Sequence, residues 1–371
     1  MKRLKYFFFL PAGIALIIAS CSKGNSDAAE QSGNWVVRAE FSGNVRYAAV
    51  SFVINDSAYI TTGFDNTYRY NDLWVYSVNN NSWYQRASIP VPAGAPGYNG
   101  RSNATAFAIN GKGYVTTGLE NVTSINVTGR LKDTWEYTQA TNSWVQKTDF
   151  PEPNDPNGNP NGRYDATGFA LGSLGYVTCG TNGPAGSITS NLYSFNPAGA
   201  GTWTVQASSP TKRTGAQVFV YNNVAYVMGG IGSNGIDSYY FTKFDPTANL
   251  WTELNQTRNV STDAFDDDYT DISRSYGVAF VMNNGTVPKG YLAVGTINGG
   301  NTVKTWEYDF PTDRWARKTP YESTRSARSY ANSFVVKGRG FVGLGTSSRS
   351  GGQALDNLDE WNPADAYNAN D

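Results

Sequence analysis

RSNATAFAINGKGYVTTG at 101–118 and LKDTWEYTQATNSW at 131–144 are the two ends of one unit that returns six times along the chain. A period of about 50 residues is the signature of a stacked or circular array, in which no unit buries its faces alone. Each unit opens with an arginine: Arg46, Arg101, Arg163, Arg213, Arg274 and Arg328. Three positions later the residue is always small (Ala49, Ala104, Ala166, Ala216, Gly277, Ala331), and six positions later it is phenylalanine (Phe52, Phe107, Phe169, Phe219, Phe280, Phe334). A second apolar run ends in Gly63, Gly118, Gly180, Gly230, Gly295 or Gly345, with an aromatic four residues before each. A third run carries Tyr76, Tyr137, Phe195, Phe244, Tyr308 or Trp361, and a fourth begins at Trp83, Trp144, Trp203, Trp251 or Trp315.

Four short, alternating, aromatic-rich runs separated by Asn, Gly, Ser and Pro predict four antiparallel strands, a to d, in each unit. A single such sheet cannot cover both faces, whereas a ring of them can. Small residues suit an innermost strand crowded near the axis, and the Phe and Trp columns are expected to fill the wedges between sheets. Each buried aromatic covers about 150–250 Å², an upper bound of about 4–6 kcal/mol by area.

These columns resemble kelch repeats, the β-propeller unit with glycines after strand b, an aromatic in strand c and a tryptophan in strand d. The resemblance covers about Trp35 to Pro363. One departure is visible. Kelch units usually end strand b in a glycine pair, and only Gly229-Gly230 has it; the other doublets are Thr62-Gly63, Thr117-Gly118, Cys179-Gly180, Val294-Gly295 and Leu344-Gly345. The sixth unit lacks a strand-d tryptophan after Trp361, while Trp35-Val-Val-Arg-Ala-Glu reads like the strand d at Trp83-Tyr-Gln-Arg-Ala-Ser. The expectation is an all-β, six-bladed kelch-type propeller over residues 35–363, its ring closed by the N-terminal strand, which removes the exposed edge of an open sheet. Residues 364–371 are expected to form a tail.

Residues 1–20 read as a targeting segment: Lys2, Arg3 and Lys5 precede an apolar stretch from Tyr6 to Ile18 that is too short to span a bilayer and holds Pro11. Ile18-Ala19-Ser20-Cys21 resembles a bacterial lipobox, which implies lipidation of Cys21 and a place in the cell envelope outside the cytoplasm, with the outer membrane the expected address. Residues 21–34 are small and polar, a flexible tether. Beyond residue 20, 26 Lys and Arg face 30 Asp and Glu, a formal charge of −4 with no basic stripe, so nucleic acid is not the expected partner. With Cys21 lipidated, Cys179 is the remaining thiol and reads as a small buried hydrophobe. A monomer is expected.

The chain contains no histidine. That excludes Ser-His-Asp and Cys-His catalysis and His-ligated copper or zinc. Galactose oxidase also carries kelch blades, but its histidine-bearing copper site cannot be built here. No cofactor is expected.

Loop lengths point to one working face. Arginine to glycine, across the a–b loop, is 17 residues in five units, and the strand-c aromatic to the strand-d tryptophan is 7 in four. Glycine to strand-c aromatic ranges from 13 to 19, and tryptophan to the next arginine from 10 to 23. Antiparallel order puts the variable b–c and d–a loops at the same end, where binding in repeat proteins concentrates.

At that end the six arginines could hold an anionic ligand, or each could bond carbonyls of a neighbouring blade; perfect recurrence favours the structural role. Symmetry breaks at Tyr47, Tyr164, Asp165, Tyr276 and Tyr330, which could orient a sugar or simply pack the rim. Asp263, Asp266, Asp267, Asp268 and Asp271 cluster in the longest d–a connection; carboxylates suit Ca²⁺, but without EF-hand spacing a solvated acidic loop is the better expectation. The favoured function is a lipid-anchored binding or scaffold module taking a glycan or protein on the variable face. The alternative is an envelope sugar enzyme of the mutarotase or epimerase type, for which sialic-acid mutarotase offers a kelch precedent, using Asp165 or an acid of 263–271 beside an arginine.

Overall fold

The computed structural model describes residues 32–371, apart from 92–99, 121–128, 155–160, 183–185, 259–268, 270, 284, 286 and 322–325. Every regular element among the described residues is a strand. Six four-stranded antiparallel sheets carry the a-to-d order expected from the columns. In blade one these are Val50–Ile54, Ser57–Thr61, Leu73–Ser77 and Ser82–Arg86; in blade two, Thr105–Ile109, Lys112–Thr116, Thr134–Thr138 and Ser143–Lys147. Blades three, four and five open with Thr167–Leu171, Gln217–Tyr221 and Val278–Met282.

Blade six takes Asn332–Val336, Arg339–Gly343 and Leu358–Ala366 from the C-terminal end and its outer strand, Ser32–Arg38, from the N-terminal end. Trp35 lies opposite Trp361 in that pairing, with the rings 4.8 Å apart. Both boundaries extend past the expected ones: the closing strand starts at Ser32, and its partner runs to Ala366. The residues beyond are held too, because Asn34 donates to the Asp371 carboxylate at 2.6 Å.

The inner strands neighbour one another around the ring. The wedges between blades are filled as the columns imply. Phe52 stacks on Tyr59 of its own blade at 5.3 Å and meets Trp144 of blade two edge-on at 6.4 Å. Phe107 repeats this against Tyr114 and Phe195 of blade three. A small-residue column in strand b makes the room: a Cβ on Gly113 would sit 2.2 Å from the Phe52 ring, and one on Gly175 2.1 Å from Phe107.

Near the axis, backbone hydrogen bonds join each blade to the next. The N–H of Gly63, Gly118, Gly180, Gly230, Gly295 and Gly345 donates to the carbonyl of Arg101, Arg163, Arg213, Arg274, Arg328 and Arg46 in turn, at 2.7–3.1 Å. That circuit explains the glycine column. Its residues hold φ between 80° and 110°, where a side chain would strain the backbone and strike the segment that follows the arginine of its own blade. The residue before each glycine needs only the milder left-handed region, φ 50–67°, so Thr62, Thr117, Cys179, Val294 and Leu344 can stand where a kelch unit usually has its first glycine.

Candidate functional site

The six arginines are structural. All are fully buried or within 1 % of it. Each sends Nη1 to a carbonyl at the end of strand b in its own blade: Thr62, Thr117, Cys179, Val227, Val294 or Leu344, at 2.9–3.5 Å. Arg46, Arg101 and Arg163 also pair with Asp72, Asp133 and Glu152 at 2.5–2.7 Å. Arg213, Arg274 and Arg328 rely on carbonyls and hydroxyls among the described residues. Burial and bonding agree with the structural role that recurrence favoured over ligand binding. One detail is corrected: the arginines hold strand-b carbonyls of their own blade, not of a neighbouring one. They fix the turn that carries the next residues to the axis.

Two positions after each arginine the chain takes a left-handed conformation, φ 51–64°, at Ala48, Asn103, Asp165, Gly215, Tyr276 and Tyr330. These residues form a second closed circuit. Each N–H donates to the carbonyl of its predecessor around the ring, at 2.8–3.1 Å. The backbone is six-fold in character and the side chains are not, so one frame displays a different group from every blade.

Those groups wall an axial cavity of about 130 Å³ on the face of the b–c and d–a loops, floored by the small residues three positions after the arginines. Asn103 and Asp165 form one side, where Asn103 Nδ2 donates to Asp165 Oδ1 at 2.7 Å. Tyr276 and Tyr330 form the other, their rings 4.2 Å apart. Gly215 is bare because Tyr276 leans across it: a Cβ there would lie 2.4 Å from the ring. At the rim, the exposed Arg349 guanidinium of the blade-six b–c loop lies 4.8 Å over the Tyr276 ring.

Burial pushes the Asp165 carboxyl up to about 6, against hydrogen bonds from Asn103 and Tyr276 and the charge of Arg349, which favour the carboxylate. Burial, reinforced by the Asp165 charge, holds the Tyr276 and Tyr330 phenols well above their ordinary range, so both stay protonated donors.

The remaining expected residues lie apart from this cavity. Tyr47 sits at the rim, its hydroxyl donating to Asn66 at 2.9 Å and its ring 6.0 Å from Tyr330. Tyr164 pairs with Thr181 in a short strand and does not line the cavity. Asp263, Asp266, Asp267 and Asp268 lie outside the described residues, as do Cys21 and the segment around it. Asp271 accepts the Trp306 indole N–H at 2.9 Å. Among the described residues no group of three or more His, Cys, Asp or Glu could hold a metal ion. Cys179 is fully buried, as a small hydrophobe would be. Asn103 and Arg349 went unmarked in the sequence; the register two residues past each arginine would have found the first.

No protein-family model matches the chain. It is 23 % identical to Kelch-like protein 35 of Mus musculus over 223 residues, 60 % of this chain and 33 % of that protein. It thus spans about a third of that relative's length. The solved structure of YjhT superposes with a TM-score of 0.63 at 18 % identity, covering 86 % of this chain and 95 % of that one, a likeness of fold. The chain is a β-propeller. Its blades are of the kelch-repeat kind.

Proposed function

We propose that the protein is a lipid-anchored binding module of the bacterial envelope, acting as a monomer, whose axial mouth takes the tip of a glycan. One observation carries this: a recess of about 130 Å³ has amide and carboxyl groups on one wall and tyrosine faces on the other. Apolar faces with a few convergent polar groups suit a sugar ring. The anchor rests on the Cys21 motif and the glycan on the wall chemistry. Binding of soluble protein lacking residues 1–21 to a glycan array tests both wall and face. Tyr330→Ala and Asp165→Ala are expected to abolish capture, while Asn110→Ala in a constant a–b loop leaves it unchanged.

A second reading is favoured by the Asp165 carboxyl, which burial pushes up to about 6 beside protonated phenols. A carboxylate that takes the proton of an anomeric hydroxyl, while a phenol returns one to the ring oxygen, opens a sugar ring without a cofactor. Mutarotation followed by NMR on any captured reducing sugar tests it; unchanged anomer exchange would leave the binding role alone.

A further inference from the structure

Asp165 is the one charged side chain among the residues lining the axial cavity, and the basic groups once expected there are buried and bonded to their own blades. The opposite wall presents aromatic faces, whose quadrupoles attract cations. The molecule itself shows what such a surface selects: its exposed Arg349 guanidinium lies over Tyr276, within the electrostatic reach of Asp165 and Tyr330.

We propose that the mouth recognises a protonated amine, which pairs with the Asp165 carboxylate, lies against Tyr276 and Tyr330, and displaces Arg349. This rests on the axial mouth being the binding site and names the ligand's chemistry. An amine of that kind comes from an amino sugar or from a lysine side chain. An acidic ligand is disfavoured, since the one charged side chain among the described residues lining the recess is the Asp165 carboxylate.

The groups facing Asp165 are Asn103 from blade two, Tyr276 from blade five, Tyr330 and Arg349 from blade six, with Tyr164 beside it in the chain. Both phenols remain neutral across the useful range, so the pH response belongs to Asp165. The carboxylate exists above its pKa of about 6, and amine binding should fade as pH falls through that value.

Calorimetric titration of the soluble chain at pH 8 compares glucosamine with glucose and N-acetylglucosamine, and Nα-acetyl-lysine amide with its norleucine counterpart. The expected result is binding of one amine at least about tenfold tighter than its neutral analogue. The sugar and peptide arms identify the source. Asp165→Asn should erase the preference, and Arg349→Gln should strengthen amine binding by removing the competing guanidinium. If neither amine bound more tightly than its neutral analogue, the amine assignment would be overturned, and binding of the neutral sugars in the mouth would leave the glycan site standing. Tighter binding of glucuronate, or weaker amine binding by Arg349→Gln, would overturn the amine assignment too. If nothing binds in a manner sensitive to Tyr330→Ala, both assignments fall.

Discussion

The backbone N–H of Ala48 donates to the carbonyl of Tyr330 at 3.1 Å, joining the first blade to the last. This bond completes the inner circuit, while Trp35 against Trp361 completes the outer edge of the same seam. Closure is thus made at two radii by residues from opposite ends of the chain.

Removing the outer seam should therefore be costly. A soluble chain beginning at Ser32 should melt like one beginning at Ser22, whereas a chain beginning at Ala39 loses the closing strand and buried Trp35, a loss of at least about 3–5 kcal/mol by analogy with deleting a buried tryptophan. Calorimetry decides it; equal melting temperatures for the Ser32 and Ala39 chains would contradict the seam.

Phe107 is 4 % exposed and packs against Tyr114 and Phe195, so Phe107→Ala should lower stability by about 3–5 kcal/mol. The denaturant midpoint should shift with little change in slope. An unmoved midpoint would place this column in solvent.

Gly215→Ala tests the cavity wall. The new methyl meets Tyr276 and the backbone holds φ 64°, which an alanine adopts at about 1–2 kcal/mol. Gly235→Ala is the control, with φ 76° and nothing within 4 Å of the added carbon. Both should lose a similar backbone share, Gly215→Ala should lose more because the Tyr276 ring must shift, and Gly215→Ala alone should also weaken binding at the mouth. Equal binding by the two variants would show that Tyr276 does not shape the site.

Asp165 should leave a pH signature on stability. Its folded-state pKa of about 6 lies above the ordinary 3.8, so the folded state holds its proton more tightly than the unfolded chain. The associated stability is full below pH 4 and is lost as pH rises to 6. Asp165→Asn, which cannot ionise, should match the wild type near pH 4 and exceed it above pH 7 by on the order of 2 kcal/mol. Parallel melting curves for the two proteins across that range would refute the shift.

Much of this was legible in the residues because packing recurs. Phe, Gly and Trp columns are repeated six or five times by the same wedge and the same turn, and Trp35 could be placed from the tryptophan that blade six lacks. The arginine column was equally visible but ambiguous: recurrence marks necessity without saying whether the guanidinium faces a ligand or a carbonyl. The site itself was least legible, since Ala48, Asn103, Asp165, Gly215, Tyr276 and Tyr330 share a backbone conformation and no side-chain chemistry. Asp165, Tyr276 and Tyr330 stood out as aromatic or acidic. Asn103 did not, and Arg349 lies in a loop with no counterpart to align it.

The direction of the closing strand has one more consequence. Ser32 lies opposite Ala366, at the far end of blade six from the mouth, and only at Arg38 does the strand approach the variable loops. The tail from Asn368 to Asp371 is held beside Asn34 at that same far end. Both ends of the described chain thus leave from the underside. A link made through either one would therefore join the propeller at the end opposite its cavity and leave the mouth unobstructed by the join.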